Sequence, residues 1–262
     1  MSKRIRIGTR DSELALWQAK SVQSQLKSLG HETALVAVKS TGDLALNKPI
    51  YELGISGVFT RTLDIALLNE EIDIAVHSLK DVPTTLPKGI VQAAVLKRGN
   101  VRDTLVFKNN EEFLAHRQAV IATGSLRRKA QWLNRYPTHS IEGIRGNVNT
   151  RLQKLSDSKT WNGAIFAAAG LGRTGLTPEN AVNLEWMVPA PAQGAIVMAC
   201  LESETEVLEA CGALNHEETE ICTNMERLFL KELEGGCSAP IGALAFIKNE
   251  EVHFHGIILS ED

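Results

Sequence analysis

The chain has 262 residues, 44% of them hydrophobic and 23% charged, with a formal net charge of −3. That length suggests one large domain or two to three small ones, and a chain of this size buries roughly three-quarters of the surface that its unfolded form exposes. The apolar content excludes general disorder, and the acidic balance argues against a general nucleic-acid binder.

At the amino terminus, MSKRIRIGTRDSELALW has basic residues with no apolar run behind them, so it is not a signal peptide. No segment is apolar for the length that a membrane helix needs. The strand RIRIGT comes first. A helix is expected over 12–29, because Ala15, Ala19, Val22, Leu26 and Leu29 step by four and three along one stripe. Ser12 is its expected N-cap and Gly30 its stop. ETALVAV is the next strand. The following stretch, STGDLALNKPIYELGISGVF, is Gly-rich and aperiodic, with the length of a mobile loop over a site. TRTLDIALLNE reads as a helix and IDIAVHS as a buried strand.

The alternation then repeats. AVIATGS is a strand entering a turn, LRRKAQWLNRY a helix, HSIEGIRGN a strand and turn, and NTRLQKLSD a helix. GAIFAAAG is a strand without polar alternation, as expected when both faces are covered. Strands alternating with helices predict an α/β protein with mainly parallel sheets. After Glu217 the texture changes. A helix is expected over 218–232, then the GGCSAP loop, then a β-hairpin of ALAFI and VHFHGIIL around KNEE. The chain therefore reads as two α/β lobes and a small α+β tail.

Five stretches place cations where predicted strands end, which is where open α/β sheets bind ligands. GTRDS carries Arg10, HSLKDVP carries Ser78, Lys80 and Asp81, and ATGSLRRK carries Thr123, Ser125, Arg127 and Arg128. GIRGNVNTR carries Arg145, Asn147 and Arg151, and AAAGLGRTG carries Arg173. Helix N-termini add free N–H groups, and arginine forks match carboxylate or phosphate. Gly124 lets the backbone come close. Asp81 is the one acid of note among these cations, so the cleft should hold a ligand with many negative groups. The bland alternative of solvated surface arginines fits any one turn, but five turns with the same placement poorly. Asp81 itself reads either as a turn residue bonding its own backbone or as an ionised group that stabilises a cation or passes protons.

The four cysteines, Cys200, Cys211, Cys222 and Cys237, match no zinc or C-x-x-C spacing, so reduced thiols in the cytoplasm are expected. Cys200, Cys211 and Cys222 read as filler. Cys237 lies in LEGGCSAPIG, a loop by composition, where an unpaired thiol is a reactive group or an attachment point. His77 reads as a core residue. His253 and His255 form an H-x-H with no third ligand, so no metal site is expected.

The stretches TRDSELALWQA, GVFTRTLDIALL, IDIAVHSLKDVP, GSLRRKAQ, IRGNVNTRL, AAAGLGRTGL, PAQGAI, ALNHEET and LEGGCSAPIG together resemble the porphobilinogen deaminase (hydroxymethylbilane synthase) family of tetrapyrrole and haem biosynthesis. The resemblance implies two periplasmic-binding-protein-like lobes and a third small domain, bounded here at 1–97 with 192–216, 98–191 and 217–262. It implies a transferase that adds porphobilinogen units head to tail on a dipyrromethane cofactor, losing ammonia each time. Carried over by position, Cys237 anchors that cofactor by a thioether, and Asp81 is the acid/base that steadies an azafulvene-like cation. Lys80, Ser78, Thr123, Ser125, Arg127, Arg128, Arg145, Asn147 and Gln193 match cofactor contacts. Arg10, Gln18, Arg145, Arg151 and Arg173 match substrate contacts.

Two departures stand out. GISGVF replaces a G-G-K-G-L/I-F pattern, with Ser56 at the lysine position and Ile55 at a glycine, so a cationic contact is missing unless Lys48 or Arg61 supplies it. The resemblance also implies a further strand and helix beyond Asp262. A monomer without nucleic-acid or membrane partners is the expected assembly. Two other classes stay open on the residues alone: a two-lobed binding or sensor protein for a small polyanion, and a thiol hydrolase.

Overall fold

The computed structural model describes residues 4–38, 60–109, 111–116, 118–233 and 239–260. The Gly-rich stretch over 41–58, with Lys48, Ile55 and Ser56, and the residue Cys237 lie outside these.

Five strands make the first sheet: β1 (Ile5–Thr9), β2 (Thr33–Ala37), β3 (Ile74–Ser78), β4 (Ile90–Val95) and, from far along the chain, β10 (Ile196–Leu201). Their order is β2-β1-β3-β10-β4. The second sheet holds β5 (Asp103–Phe107), β6 (Val120–Ala122), β7 (Ser140–Glu142), β8 (Gly163–Ala167) and β9 (Ala181–Asn183), in the order β7-β6-β8-β5-β9. In the first sheet only β10 is reversed, antiparallel to β3 and β4. In the second only β5 is reversed, antiparallel to β8 and β9. Each reversed strand is the one entered just after the chain crosses between sheets, so the two crossovers run side by side. The amide of Gly99, in the first crossover, donates to the carbonyl of Gly194, in the second, at 3.0 Å. Gly194 has φ +88°, and a Cβ there would meet the Gly99 carbonyl at 3.0 Å, so glycine is required twice over.

Local rules account for most helices. In α1 (Glu13–Ser28) the Ser12 hydroxyl accepts from the Ala15 amide, and Gly30 follows in a left-handed conformation. The buried face is Gln18, Ala19, Val22 and Leu26. Leu29 is exposed at the cap, so the stripe is rotated slightly from the expected one and takes in a polar residue with a partner across the core. α2 (Arg61–Leu68) follows without a side-chain cap at its start, whereas α3 (Leu126–Arg135) and α4 (Val148–Asp157) are each capped by a side chain. The expected strand GAIFAAAG stops at Ala167. Ala168 begins α5 (Ala168–Thr174), so Arg173 sits on the last helical turn rather than at the turn entering the helix. α6 (Thr205–Gly212) covers the first sheet.

The tail is α7 (Glu217–Glu232) packed on β11 (Ile241–Lys248) and β12 (Glu251–Ile258). Asn249 and Glu250 join the strands with φ of 53° and 65°, the two positive values of a type I′ turn. Glu226 of α7 is fully buried. It pairs with Arg98 at 2.7 Å and accepts the amides of Ala192 and Ala245. One carboxylate thus ties the tail helix to both crossovers and to the hairpin. Removing one partner of a buried pair strands the other charge. Glu226→Ala is expected to lower unfolding stability by about 3–5 kcal/mol in a denaturant titration.

Cys200, Cys211 and Cys222 are buried free thiols. Burial pushes Cys200 up to about 11 and Cys211 up to about 12, so they are inert filler as expected.

Candidate active site

β3 ends at Ser78, and one 3-10 turn over Leu79–Asp81 then presents Lys80 and Asp81 at the carboxyl end of this central strand. Gln18 Nε2 donates to Ser78 Oγ at 2.8 Å, which joins two residues predicted for the site. Lys80 Nζ donates to Gln193 Oε1 at 3.3 Å. Gln193 is fully buried and passes the contact on, its Nε2 donating to the Val101 carbonyl and to Asp103 Oδ1 at 3.0 Å. Asp103, the first residue of β5, receives Arg128 Nε and Nη2 on the same oxygen at 3.0 and 2.7 Å. Arg127 Nη1 lies 2.8 Å from the other oxygen. The chain Lys80–Gln193–Asp103–Arg127/Arg128 therefore runs from the end of β3 across the crossovers into the second sheet.

The expectation of a single acid among the cations is corrected here. Asp103 is a second one, fully buried and set between two arginines. It also changes what those arginines offer. Arg128 gives Nη1 to the Ile165 carbonyl, and Arg127 gives Nη1 to the Val188 carbonyl. Both guanidiniums are oriented by the protein: Arg128 through Nε, Nη1 and Nη2, and Arg127 through Nη1.

Electrostatics follow from this packing. Burial alone would raise the Asp103 carboxyl, but Arg127 and Arg128 hold it well below the usual carboxylate range. Burial pushes the Lys80 ammonium down to about 8, against the pull of Asp81. Burial pushes Arg151 down to about 10, with Arg128 adding repulsion and Asp81 opposing it. Asp81 thus acts on cations from both lobes. Burial also lowers Arg145. Cations lacking water and repelling one another are poised to accept a ligand's carboxylates. For Lys80 the sign is clear: the folded chain sheds this proton more readily than the unfolded one, so burial of the ammonium costs stability below pH 8 and that cost fades as pH rises toward 10.5. Stability of the parent relative to Lys80→Met is expected to rise between pH 8 and 10, measured by denaturant unfolding at each pH.

Several predicted contacts serve as helix caps. Ser125 accepts from the Arg128 amide at the start of α3, and Thr123 Oγ1 accepts from the Ser125 amide. Asn147 accepts from the Thr150 amide at the start of α4. A Cβ on Gly124 would stand 2.8 Å from the Ile144 carbonyl, so its absence lets the two cation-bearing turns approach. Arg151 lies over the Phe166 ring at 5.2 Å. Arg10 and Arg145 are half-buried and each makes a contact. Arg173 stands apart at the crossovers. Its Nη2 donates to the Gly194 carbonyl at 2.6 Å and its guanidinium lies 5.7 Å from the Trp17 ring centroid. With Asn100, Thr104 and Asn183 it borders a cavity of about 420 Å³.

His77 is buried, and desolvation together with the charge of Arg10 pushes its imidazole down to about 4, so it is neutral in the core. His253 and His255 are exposed, and His253 stacks on Phe246.

Two α/β lobes that bring half-buried Asp81, at a strand end, together with desolvated cations define a two-lobed protein suited to a polyanionic ligand. Residues 5–209 match the family described as "Porphobilinogen deaminase, dipyromethane cofactor binding domain", and residues 220–262 match "Porphobilinogen deaminase, C-terminal domain". The chain belongs to the porphobilinogen deaminase family. It is 42% identical to a probable porphobilinogen deaminase of Methanocaldococcus jannaschii, over 98% of this chain and 89% of that one. It is 41% identical to porphobilinogen deaminase of Desulforamulus reducens, over 100% of this chain and 86% of that one. The chloroplastic porphobilinogen deaminase of Oryza sativa subsp. japonica is 41% identical, over 98% of this chain and 75% of its own. The crystal structure of the methionine-binding protein MetQ superposes with a TM-score of 0.51 at 13% identity, covering 89% of this chain and 96% of that one. The lobes are thus periplasmic-binding-protein-like. Among the described residues, no helix is long and apolar enough to cross a membrane.

A dipyrromethane has two pyrroles, each with an acetate and a propionate. Half-buried Lys80 and Arg145, in the turns after strands, and Arg151, in the first turns of α4, have lowered proton affinity and fit those carboxylates.

Proposed function

We propose that this chain is a hydroxymethylbilane synthase. It joins four porphobilinogen molecules head to tail on a dipyrromethane held by a thioether to Cys237, loses ammonia at each addition, and releases the linear tetrapyrrole by hydrolysis. One observation carries the reading: Asp81 stands at a strand end where it acts on Lys80 and Arg151, cations of the two lobes, in a chain of this family.

The dipyrromethane, when bound, supplies the pyrrole carbon to which the next unit is joined. Everything else falls to the protein. Asp81 accepts pyrrole N–H groups and stabilises the positive charge that develops on the substrate as ammonia leaves. Lys80, Arg127, Arg128 and Arg145 orient the cofactor's carboxylates, with Ser78, Thr123, Ser125, Asn147 and Gln193 as polar contacts around it. Arg10, Gln18, Arg145, Arg151 and Arg173 receive the substrate. Asp103 keeps the arginine pair aligned. We take 1–97 with 192–216, 98–191 and 217–262 as the three domains, and a cytoplasmic monomer as the working form.

Intact-protein mass spectrometry with a turnover assay tests this. The mass is expected to exceed the sequence mass by one dipyrromethane, Cys237→Ser is expected to abolish the increment, and porphobilinogen is expected to be consumed with release of ammonia. An active protein at its bare sequence mass overturns the covalent cofactor. Binding of porphobilinogen without ammonia release points instead to a binding protein that shares the fold.

A further inference from the structure

Helix α7 precedes Cys237 in the chain, and its residue Arg227 reaches the Asp81 turn. Arg227 Nη1 donates to the carbonyls of Leu79 at 3.2 Å and Val82 at 2.9 Å. Its Nη2 donates to the carbonyl of Pro83 at 2.6 Å. These three carbonyls bracket Asp81, one on its amino side and two on its carboxyl side.

The turn is also held by the Lys80–Gln193 hydrogen bond and by the buried side chains of Leu79 and Val82. The Leu79 amide donates to the Ala195 carbonyl and the Val82 amide closes the 3-10 turn on Leu79. Pro83 has no N–H at all. A planar guanidinium suits the task because it presents several donors in fixed directions, which an ammonium does not. The neighbouring residue on α7, Glu226, is clamped by Arg98 and by the amides of Ala192 and Ala245, so Arg227 projects from an anchored helix.

We propose that Arg227 is a positioning residue: by gathering the carbonyls of Leu79, Val82 and Pro83 it fixes the Asp81 carboxylate relative to the helix that precedes Cys237 in the chain. This rests on the reading that Asp81 and Cys237 carry the chemistry. Cys237 lies ten residues beyond Arg227 in the chain. Arg227 is thus the point where the tail that bears the anchor grips the turn that bears the acid/base. A shift of about 1 Å in that carboxylate is enough to lower turnover on the order of a hundredfold.

The test uses the cofactor-loaded full chain. Arg227→Gln is expected to keep the cofactor mass increment and a KM for porphobilinogen within about twofold of the parent, while kcat falls roughly tenfold to a hundredfold. Arg227→Lys is expected to recover part of kcat. Arg227→Gln combined with Asp81→Ala is expected to be no slower than Asp81→Ala alone, since both act through one carboxylate. If Arg227→Gln does not fold, Arg227→Lys with amide hydrogen exchange takes over, and faster exchange at Leu79 and Val82 than in the parent is expected. The proposal is overturned by kcat within threefold of the parent in Arg227→Gln, by full additivity in the double variant, or by unchanged exchange. Asp81→Ala alone separates the two levels. If it keeps its turnover, the reading of the site fails; if it loses turnover while Arg227→Gln does not, only the role of Arg227 fails.

Discussion

Asp81→Ala is expected to lower turnover by about 10²- to 10⁴-fold, the range that a positioned acid/base contributes, with a thermal unfolding midpoint close to the parent's. Both halves of that expectation come from its place in the fold. Asp81 ends a one-turn 3-10 segment, is half-buried, and has its neighbouring carbonyls held by Arg227. Truncating its side chain leaves no core cavity. What is lost is the carboxylate that acts on Lys80 and Arg151, and with it the group placed to take positive charge from the substrate. Steady-state kinetics with the cofactor loaded provide the check. Turnover within a few-fold of the parent sinks the assignment.

Asp103→Ala is expected to lose stability on the order of 3–5 kcal/mol, as large a loss as Glu226→Ala. Two arginines, each nearly buried, face this carboxylate, and without it they remain as like charges with no anion between them. Asp103→Asn is the milder change, because the amide keeps an oxygen for Arg128 and Gln193 while losing the charge. The pH dependence has a definite sign. The folded chain holds the Asp103 carboxyl ionised far more strongly than the unfolded chain does, so its stabilisation is fully present above the ordinary carboxylate pKa of about 3.9. It is lost as pH falls below that value toward the depressed folded one. Acid unfolding of the parent is therefore expected to be steeper than that of Asp103→Asn, followed by circular dichroism between pH 5 and 2. A shallow parent curve identical to the variant's counts against a charged, paired Asp103. Carboxylate affinity is also expected to fall in Asp103→Ala, since Arg128 there loses the partner of its Nε and Nη2.

How far the sequence could be read depended on the range of the interaction. Ser12, Ser125 and Asn147 cap the helices that follow them through contacts three residues away, and their identity alone announces this. The Lys-Asp turn after a buried strand and the paired arginines were legible for the same reason, as residue types at short spacing. Strands β4, β5, β9 and β10 were not. IVQAAV and IVMACL are short apolar runs without alternation, AVN is three residues long, and such segments carry no period that separates strand from helix. Missing β5 hid Asp103, which lies 25 residues before Arg128. Missing β10 hid the reversed strand that brings Gln193 beneath Lys80, 113 residues away in the chain.

The amino-acid sequence was enough to settle the class of sheet, the positions of the cation-bearing turns and the family, because these rest on propensity, capping and motif spacing within a few residues. Only the tertiary structure decided which charges meet. Whether Arg127 and Arg128 face solvent, a ligand or a buried acid is not a property of LRRK. It follows from a chain that crosses twice between two sheets and lays Asp103, Gln193 and Glu226 against cations distant in sequence. Coulomb energy depends on separation in space and on the water removed around it, and both are set when the lobes and the tail pack together.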